Sequence, residues 1–303
     1  MRYCVSGFLS LCMEREDMLR AMIQIRNRDM ITSTTNKKVK EWVALTQKAK
    51  ARREEGLFVA EGTKMFLEAP QAWIREVCVS ESFLKKYERE PDGKMERALR
   101  AVRCETVSDE VFKKISDTQT PQGILTVLAQ PRYTLEDMLF PASEGSNDRK
   151  PMLLLLEDIQ DPGNLGTMFR AGEGAGVSGV IMSANTADVF NPKVIRSTMG
   201  SVYRVPFLTA ESLGDIITRL KSAGVSVYAA HLRDSTDYTE ADYTEAVAFL
   251  IGNESSGLRQ ETADMATACI KIPMEGRVES LNAAVATTIL IYEAARQRRR
   301  RRE

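Results

Sequence analysis

Residues 152–182 read MLLLLEDIQDPGNLGTMFRAGEGAGVSGVIM. An apolar run at 153–156 gives way to acidic and Pro/Gly punctuation at 157–163, a helical segment at about 165–174 and a second apolar run at 177–182. Run, turn, helix, run is the pattern of a β-α-β unit with buried parallel strands. The alternation continues with predicted strands at 203–207, 225–230, 246–251 and 268–272. Helices are predicted from Asn191-Pro192 to about Gly200, over 212–223, with Leu213, Ile216, Ile217 and Leu220 on one face, and over 280–296. Five or six parallel strands interleaved with helices predict a doubly wound α/β domain over 151–297.

The first half has shorter elements. Val39, Trp42, Val43 and Leu45 recur at helical spacing, with lysines on the opposite face, and Gly56 breaks the helix. Strands are predicted at 57–60, 74–79 and 124–128, and helices at 62–69, 82–89, 95–102 and 109–115, the last capped by Ser108. This is a small α/β domain over 31–130. The Pro-flanked, Ser/Gly/Asn/Asp-rich stretch 131–150 reads as a linker, and 298–303 as a basic tail. Residues 1–30 read as an extension: the apolar start runs into charges without a small-x-small cleavage site, and Met30 opens a more typical domain beginning.

Composition alters this picture little. The 303 residues are 43% hydrophobic and 28% charged, as expected of a globular protein, and 42 basic residues balance 42 acidic ones. The distribution is uneven: Lys37, Lys38, Lys40, Lys48, Arg52 and Arg53 cluster on the first helix, a patch suited to a polyanion or simply to solvent. The five cysteines form no CxxC pair and His231 is the only histidine, so neither a metal centre, a His-dependent triad nor a disulfide framework is expected. No apolar run approaches a membrane span, and the cytoplasm is the expected compartment.

The parallel sheet first suggests a dinucleotide site, but the glycines are misplaced for one. They must lie in the first strand-to-helix turn, which here is Ile159-Gln-Asp-Pro-Gly-Asn164; Gly172, Gly174 and Gly176 come after the helix. Three other segments put glycines and small polar residues just past an apolar run: Asn164-Leu-Gly-Thr-Met-Phe-Arg170, Leu250-Ile-Gly-Asn-Glu-Ser-Ser-Gly-Leu258, and Ile272 through Ser280-Leu-Asn282. Such strand ends offer backbone donors and acceptors to a ligand without side-chain bulk. Structural alternatives stand beside each: Gly252 and Gly257 as turn formers, Ser280 as a helix cap, Arg170 as a surface residue. Asn282, opening an apolar helix, is predicted to be a buried amide in need of partners.

Together these segments resemble the SpoU-type RNA 2′-O-ribose methyltransferases of the SPOUT class, over about residues 31–296. Phe58-Val-Ala-Glu-Gly62 and Thr120-Pro-Gln-Gly123 resemble the family's small substrate-binding domain, which is like ribosomal RNA-binding proteins. The resemblance implies a parallel α/β sheet with a deep trefoil knot, a homodimer formed through the C-terminal domain, S-adenosylmethionine as cofactor, no metal, and an RNA substrate, ribosomal RNA foremost. Carried over by motif, Asn164, Arg170, Glu254, Ser280 and Asn282 are the implied catalytic set. Leu250, Gly252, Asn253, Ile272, Pro273, Met274 and Leu281 are the implied cofactor contacts. Ser201 stands in a motif that is more alanine-rich in the family, which leaves its role open. A guanidinium is effectively always protonated, so Arg170 is assigned to the substrate phosphate and the developing alkoxide rather than to proton abstraction. A tRNA-directed enzyme and a non-catalytic RNA-binding protein of the same fold are the alternatives.

Overall fold

The computed structural model describes residues 30–89, 92–140, 150–278 and 280–301. Two compact units divide between Pro131 and Arg132. Apart from Met30, the N-terminal extension lies outside the described residues.

In the first unit, helix α1 (Lys37–Gln47) buries Val39, Trp42 and Leu45. It stops short of Gly56 because Lys48 adopts extended backbone; α2 (Ala49–Glu55) then runs up to Gly56, which is left-handed with φ 62°. There follow β1 (Leu57–Glu61), α3 (Thr63–Glu68), β2 (Ile74–Ser80), α4 (Glu81–Arg89) and α5 (Gly93–Arg100). The unit closes with β3 (Cys104–Val107), α6 (Asp109–Ile115) and β4 (Ile124–Ala129). The sheet order is β1-β4-β2-β3, with only β2 and β3 parallel. Trp42, Val111, Phe112 and Ile115 cover one face; Phe66, Phe83, Leu84 and Leu99 cover the other. Strand β3 escapes the sequence pattern because four residues are too few to show a period.

The stretch predicted as a linker is partly structural. Thr134 and Asp137 form a reciprocal capping box for α7 (Leu135–Leu139), and Leu135 and Met138 enter the core of the second unit. That unit continues with β5 (Met152–Leu156), α8 (Pro162–Ala175), β6 (Gly179–Ser183), α9 (Pro192–Thr198) and β7 (Phe207–Ala210). Next come α10 (Leu213–Ser222), β8 (Ser226–Ala230), β9 (Ser235–Asp237), β10 (Val247–Ile251), α11 (Gln260–Asp264), β11 (Ala268–Lys271) and α12 (Ala283–Arg300). The strand predicted at 203–207 begins only at Phe207, because Ser201–Tyr203 turns as a buried 3-10 helix.

Seven strands, rather than five or six, form a wholly parallel sheet in the order β7-β6-β5-β10-β8-β11-β9. Strands β5, β6 and β7 build outward on one side, and the later strands fill the other. The direction of winding therefore reverses between β5 and β10. A crevice opens outside the carboxyl ends of strands at such a reversal.

The basic tail also needs correction, because α12 runs through Arg298 to Arg300. Arg298 donates to the carbonyls of Tyr243, Lys150 and Pro151 at 2.9, 2.9 and 3.0 Å, and Arg301 pairs with Glu245 at 2.6 Å. These partners precede β5 and β10, so the arginines fasten the end of the sheet opposite the crevice.

Candidate active site

Helix α8 starts at the crevice because the sequence after β5 supplies a cap and a rigid first turn. Asp161 is the N-cap and accepts the Asn164 N–H at 2.7 Å, with Pro162 as the first helical residue. The side chain of Asn164 then faces the loop after β10. Its Nδ2 donates to Glu254 Oε1 at 3.0 Å, and its Oδ1 accepts from Asn282 Nδ2 at 3.0 Å. Three segments 90 and 118 residues apart are thus joined by one hydrogen-bonded chain, Asn282 to Asn164 to Glu254. Its direction fixes both amide orientations and makes the carboxylate the final acceptor.

Glu254 also accepts the backbone N–H groups of Gln160 and Asp161, each at 3.1 Å. Burial alone would raise its pKa; the Asn164 amide and the backbone donors outweigh burial and hold it below the usual carboxylate range. With its oxygens so engaged, Glu254 is an anchor for the β10 loop rather than a proton shuttle. A lowered folded pKa means that this anchoring is fully present above the ordinary value of 4.5 and is lost as pH falls through the lower, folded value. Losing charge-assisted bonds of this kind costs about 2 kcal/mol, so Glu254→Gln is expected to weaken cofactor binding by more than about tenfold at pH 7. Calorimetry at pH 7 and then at steps of falling pH below 4.5 measures both effects, and the variant should lose the acid sensitivity of the parent.

Beside this chain lies a cavity of about 400 Å³, lined by the segments that follow β8, β10 and β11 and by the start of α12. Gly252, Asn253, Glu254, Ile272, Met274, Ser280 and Leu281 line it. Leu250 does not: it is wholly buried within β10 and belongs to the hydrophobic core. Pro273 is exposed and stands outside the lining. His231 and Leu232 line the cavity and were not singled out from sequence. The same rule of looking just past an apolar strand, applied to β8, finds them.

Asn253 closes the β10 loop on itself: its Oδ1 accepts the N–H groups of Ser255 and Ser256, and its Nδ2 donates to the Asp158 carbonyl at 2.7 Å. The loop's exit is held by Glu157, which is 1% exposed and accepts from Arg259 Nε at 2.9 Å and Thr262 Oγ1 at 2.6 Å. Neither Glu157 nor Asp158 stood out in the sequence.

Expectations change at the start of α12 and in the basic helix, whereas the exposure of Arg170 fits both readings given to it. Asn282 is exposed and is itself the N-cap of α12, accepting from Ala284 and Val285 N–H groups; Ser280 lies ahead of the helix and does not cap it. Arg170 is exposed on α8, and among the described residues it makes no hydrogen bond or ion pair. In the first unit, Arg52 is buried against the Leu45 and Thr46 carbonyls, and Lys38 is held by Glu76 and Glu105 at 3.1 and 2.6 Å. Those two cations serve the fold. Lys37, Lys40, Lys48 and Arg53 remain exposed.

A cavity at the carboxyl ends of β8, β10 and β11, next to the reversal of winding and flanked by a fixed carboxamide–carboxylate chain, is of the kind in which an α/β enzyme holds a small cofactor. Residues 151–292 match the SpoU rRNA Methylase family and residues 36–126 the MRM3-like substrate binding domain. The 23S rRNA (guanosine(2553)-2′-O)-methyltransferase RlmP of Bacillus subtilis is 33% identical over 86% of this chain and 97% of its own length. The crystal structure of an AdoMet-bound rRNA methyltransferase from Sinorhizobium meliloti covers 88% of this chain and 97% of that one, at 36% identity and a TM-score of 0.75. The AdoMet complex of the SpoU methyltransferase AviRb from Streptomyces viridochromogenes covers 87% and 98%, at 26% identity and a TM-score of 0.75. The chain belongs to the SpoU rRNA methylase family. It is an S-adenosylmethionine-dependent RNA 2′-O-ribose methyltransferase with an N-terminal substrate-binding domain.

Proposed function

We propose that this enzyme methylates one ribose 2′-hydroxyl of 23S ribosomal RNA. The observation that carries the reading is the Asn282–Asn164–Glu254 chain beside the cavity, within a protein alike along nearly its whole length to a 23S rRNA methyltransferase. S-adenosylmethionine, when bound, supplies an electrophilic methyl group on a sulfonium. Gly252, Asn253, Ile272, Met274 and Leu281 hold it, Ser280 borders it, and Asn164, Glu254 and Asn282 fix the walls on the substrate side. Arg170 binds the ribose phosphate and stabilises the developing alkoxide, while the hydroxyl proton leaves to water. Placement accounts for most of such a rate gain. Lys37, Lys40, Lys48 and Arg53 contact RNA phosphates, which position without specifying sequence.

The C-terminal unit is read as pairing with a second copy of itself, each chain carrying the family's trefoil knot. Exposed Val285 and Tyr292 on α12 and exposed Met199 support a covered face in the C-terminal unit. Among the described residues no helix is long and apolar enough to cross a membrane, and the cytoplasm, where ribosomal RNA is available, is the proposed site of action. Ribose-methylation mapping of RNA from cells lacking the gene is expected to lose a single 2′-O-methyl mark, in 23S rRNA. Loss of a tRNA mark with 23S rRNA unchanged would overturn the substrate assignment.

A further inference from the structure

Helix α8 sets Arg170 and Glu173 three positions apart, as neighbours on one helix face. Opposite charges at that spacing lie within reach of each other, and Glu293 and Arg296, in the reverse order, pair on α12 at 2.6 Å. Arg170 and Glu173 do not. Both carboxylate oxygens of Glu173 are engaged elsewhere: Ser201 Oγ donates to Oε2 at 2.5 Å, Arg204 Nη2 donates to the same oxygen at 3.1 Å, and Arg204 Nε donates to Oε1. The turn that presents these donors is firmly built. Gly200 enters it at φ 98°, Ser201 is 1% exposed, and the Ser201 carbonyl accepts the N–H groups of Arg204 and Val205 at 3.0 Å.

We propose that Ser201 and Arg204 are positioning residues that hold Glu173 away from Arg170, leaving its guanidinium open to the RNA phosphate. The proposal rests on the reading that Arg170 contacts substrate. It gives a role to Ser201, which the family resemblance left without one. Without the turn, Glu173 has two effects on binding. It pairs with Arg170 along the helix, and it places an uncompensated negative charge where a phosphate must approach. The turn removes both, because Arg204 neutralises the carboxylate and Ser201 fixes its direction.

The test is steady-state methyl transfer to ribosomal RNA by the full chain carrying Arg170→Ala, Arg204→Met, Glu173→Gln or Arg204→Met with Glu173→Gln. Thermal melting and cofactor calorimetry run alongside. Glu173→Gln alone is expected to keep the parental kcat/KM. Arg204→Met is expected to lower kcat/KM for RNA by about three- to tenfold with cofactor affinity unchanged, and the double variant to recover to within about twofold. A turn that served only the fold would show no such rescue. If Arg204→Met melts early, Ser201→Ala replaces it, with a smaller loss that Glu173→Gln again removes. Parental kcat/KM in Arg204→Met, or a double variant as impaired as the single, overturns the proposal. Near-normal turnover by Arg170→Ala instead overturns the underlying reading of Arg170, and this assignment with it.

Discussion

Replacing Arg170 with alanine is expected to slow methyl transfer on the order of 10²–10³-fold, the usual range for losing one electrostatic donor aimed at developing charge. The guanidinium stands on the exposed face of α8 without an internal partner among the described residues, so its removal leaves no buried group unsatisfied. Stability should therefore change little. Cofactor affinity should hold as well, because Arg170 does not line the cavity and the chain that stiffens the cavity wall runs through Asn164 instead. Arg170→Lys should recover little, since an ammonium lacks the planar fork that grips a phosphate in two places. Single-turnover transfer measured beside cofactor calorimetry separates the two effects. Near-normal turnover in the alanine variant would make Arg170 a surface residue with no part in the chemistry.

The residues legible in the sequence share one property: each marks a local break in pattern. Asn164, Gly252, Glu254 and Ile272 follow apolar runs, and Asn282 opens an apolar helix, so a strand-end reading finds them. What joins them was not legible, because a bond across 118 residues leaves no trace in the spacing of either segment. Family resemblance supplied that link. The misreadings have the same origin. Lys38 and Arg52 are plain as charges, yet the carboxylates and carbonyls that hold them lie on other elements. Leu250 sits one residue inside the strand end, where burial in the sheet takes it away from the cavity. The short helix α7 was hidden by its Pro-rich and Ser/Gly-rich flanks, although Thr134 and Asp137 carried its capping signal at the right spacing.

Gly252→Val is expected to weaken S-adenosylmethionine binding by about 100-fold or more, which corresponds to roughly 3 kcal/mol. From sequence, the missing side chain looked like room left for the adenosyl group. The structure gives a different reason. A Cβ on Gly252 would lie 2.3 Å from both the Gly257 carbonyl carbon and the Leu258 nitrogen, and 2.5 Å from the Gly257 oxygen. These are backbone atoms of the loop's own return, held there by reciprocal Asn253–Gly257 hydrogen bonds of 3.1 and 3.0 Å. They cannot yield without opening the loop, and opening it moves Asn253, Glu254 and Leu258 away from the cavity together. The two explanations separate on the smallest substitution. If the glycine merely spares space for a ligand, Gly252→Ala should be much milder than Gly252→Val. If it permits backbone to pass against backbone, the first carbon does the damage and alanine should be nearly as harmful as valine. Strands β5 and β10 pair along their full length before this loop begins, so both variants should still fold, melting a few degrees lower. Calorimetric titration of the two variants decides the matter, and an alanine variant with parental affinity would restore the simpler view that Gly252 only makes room.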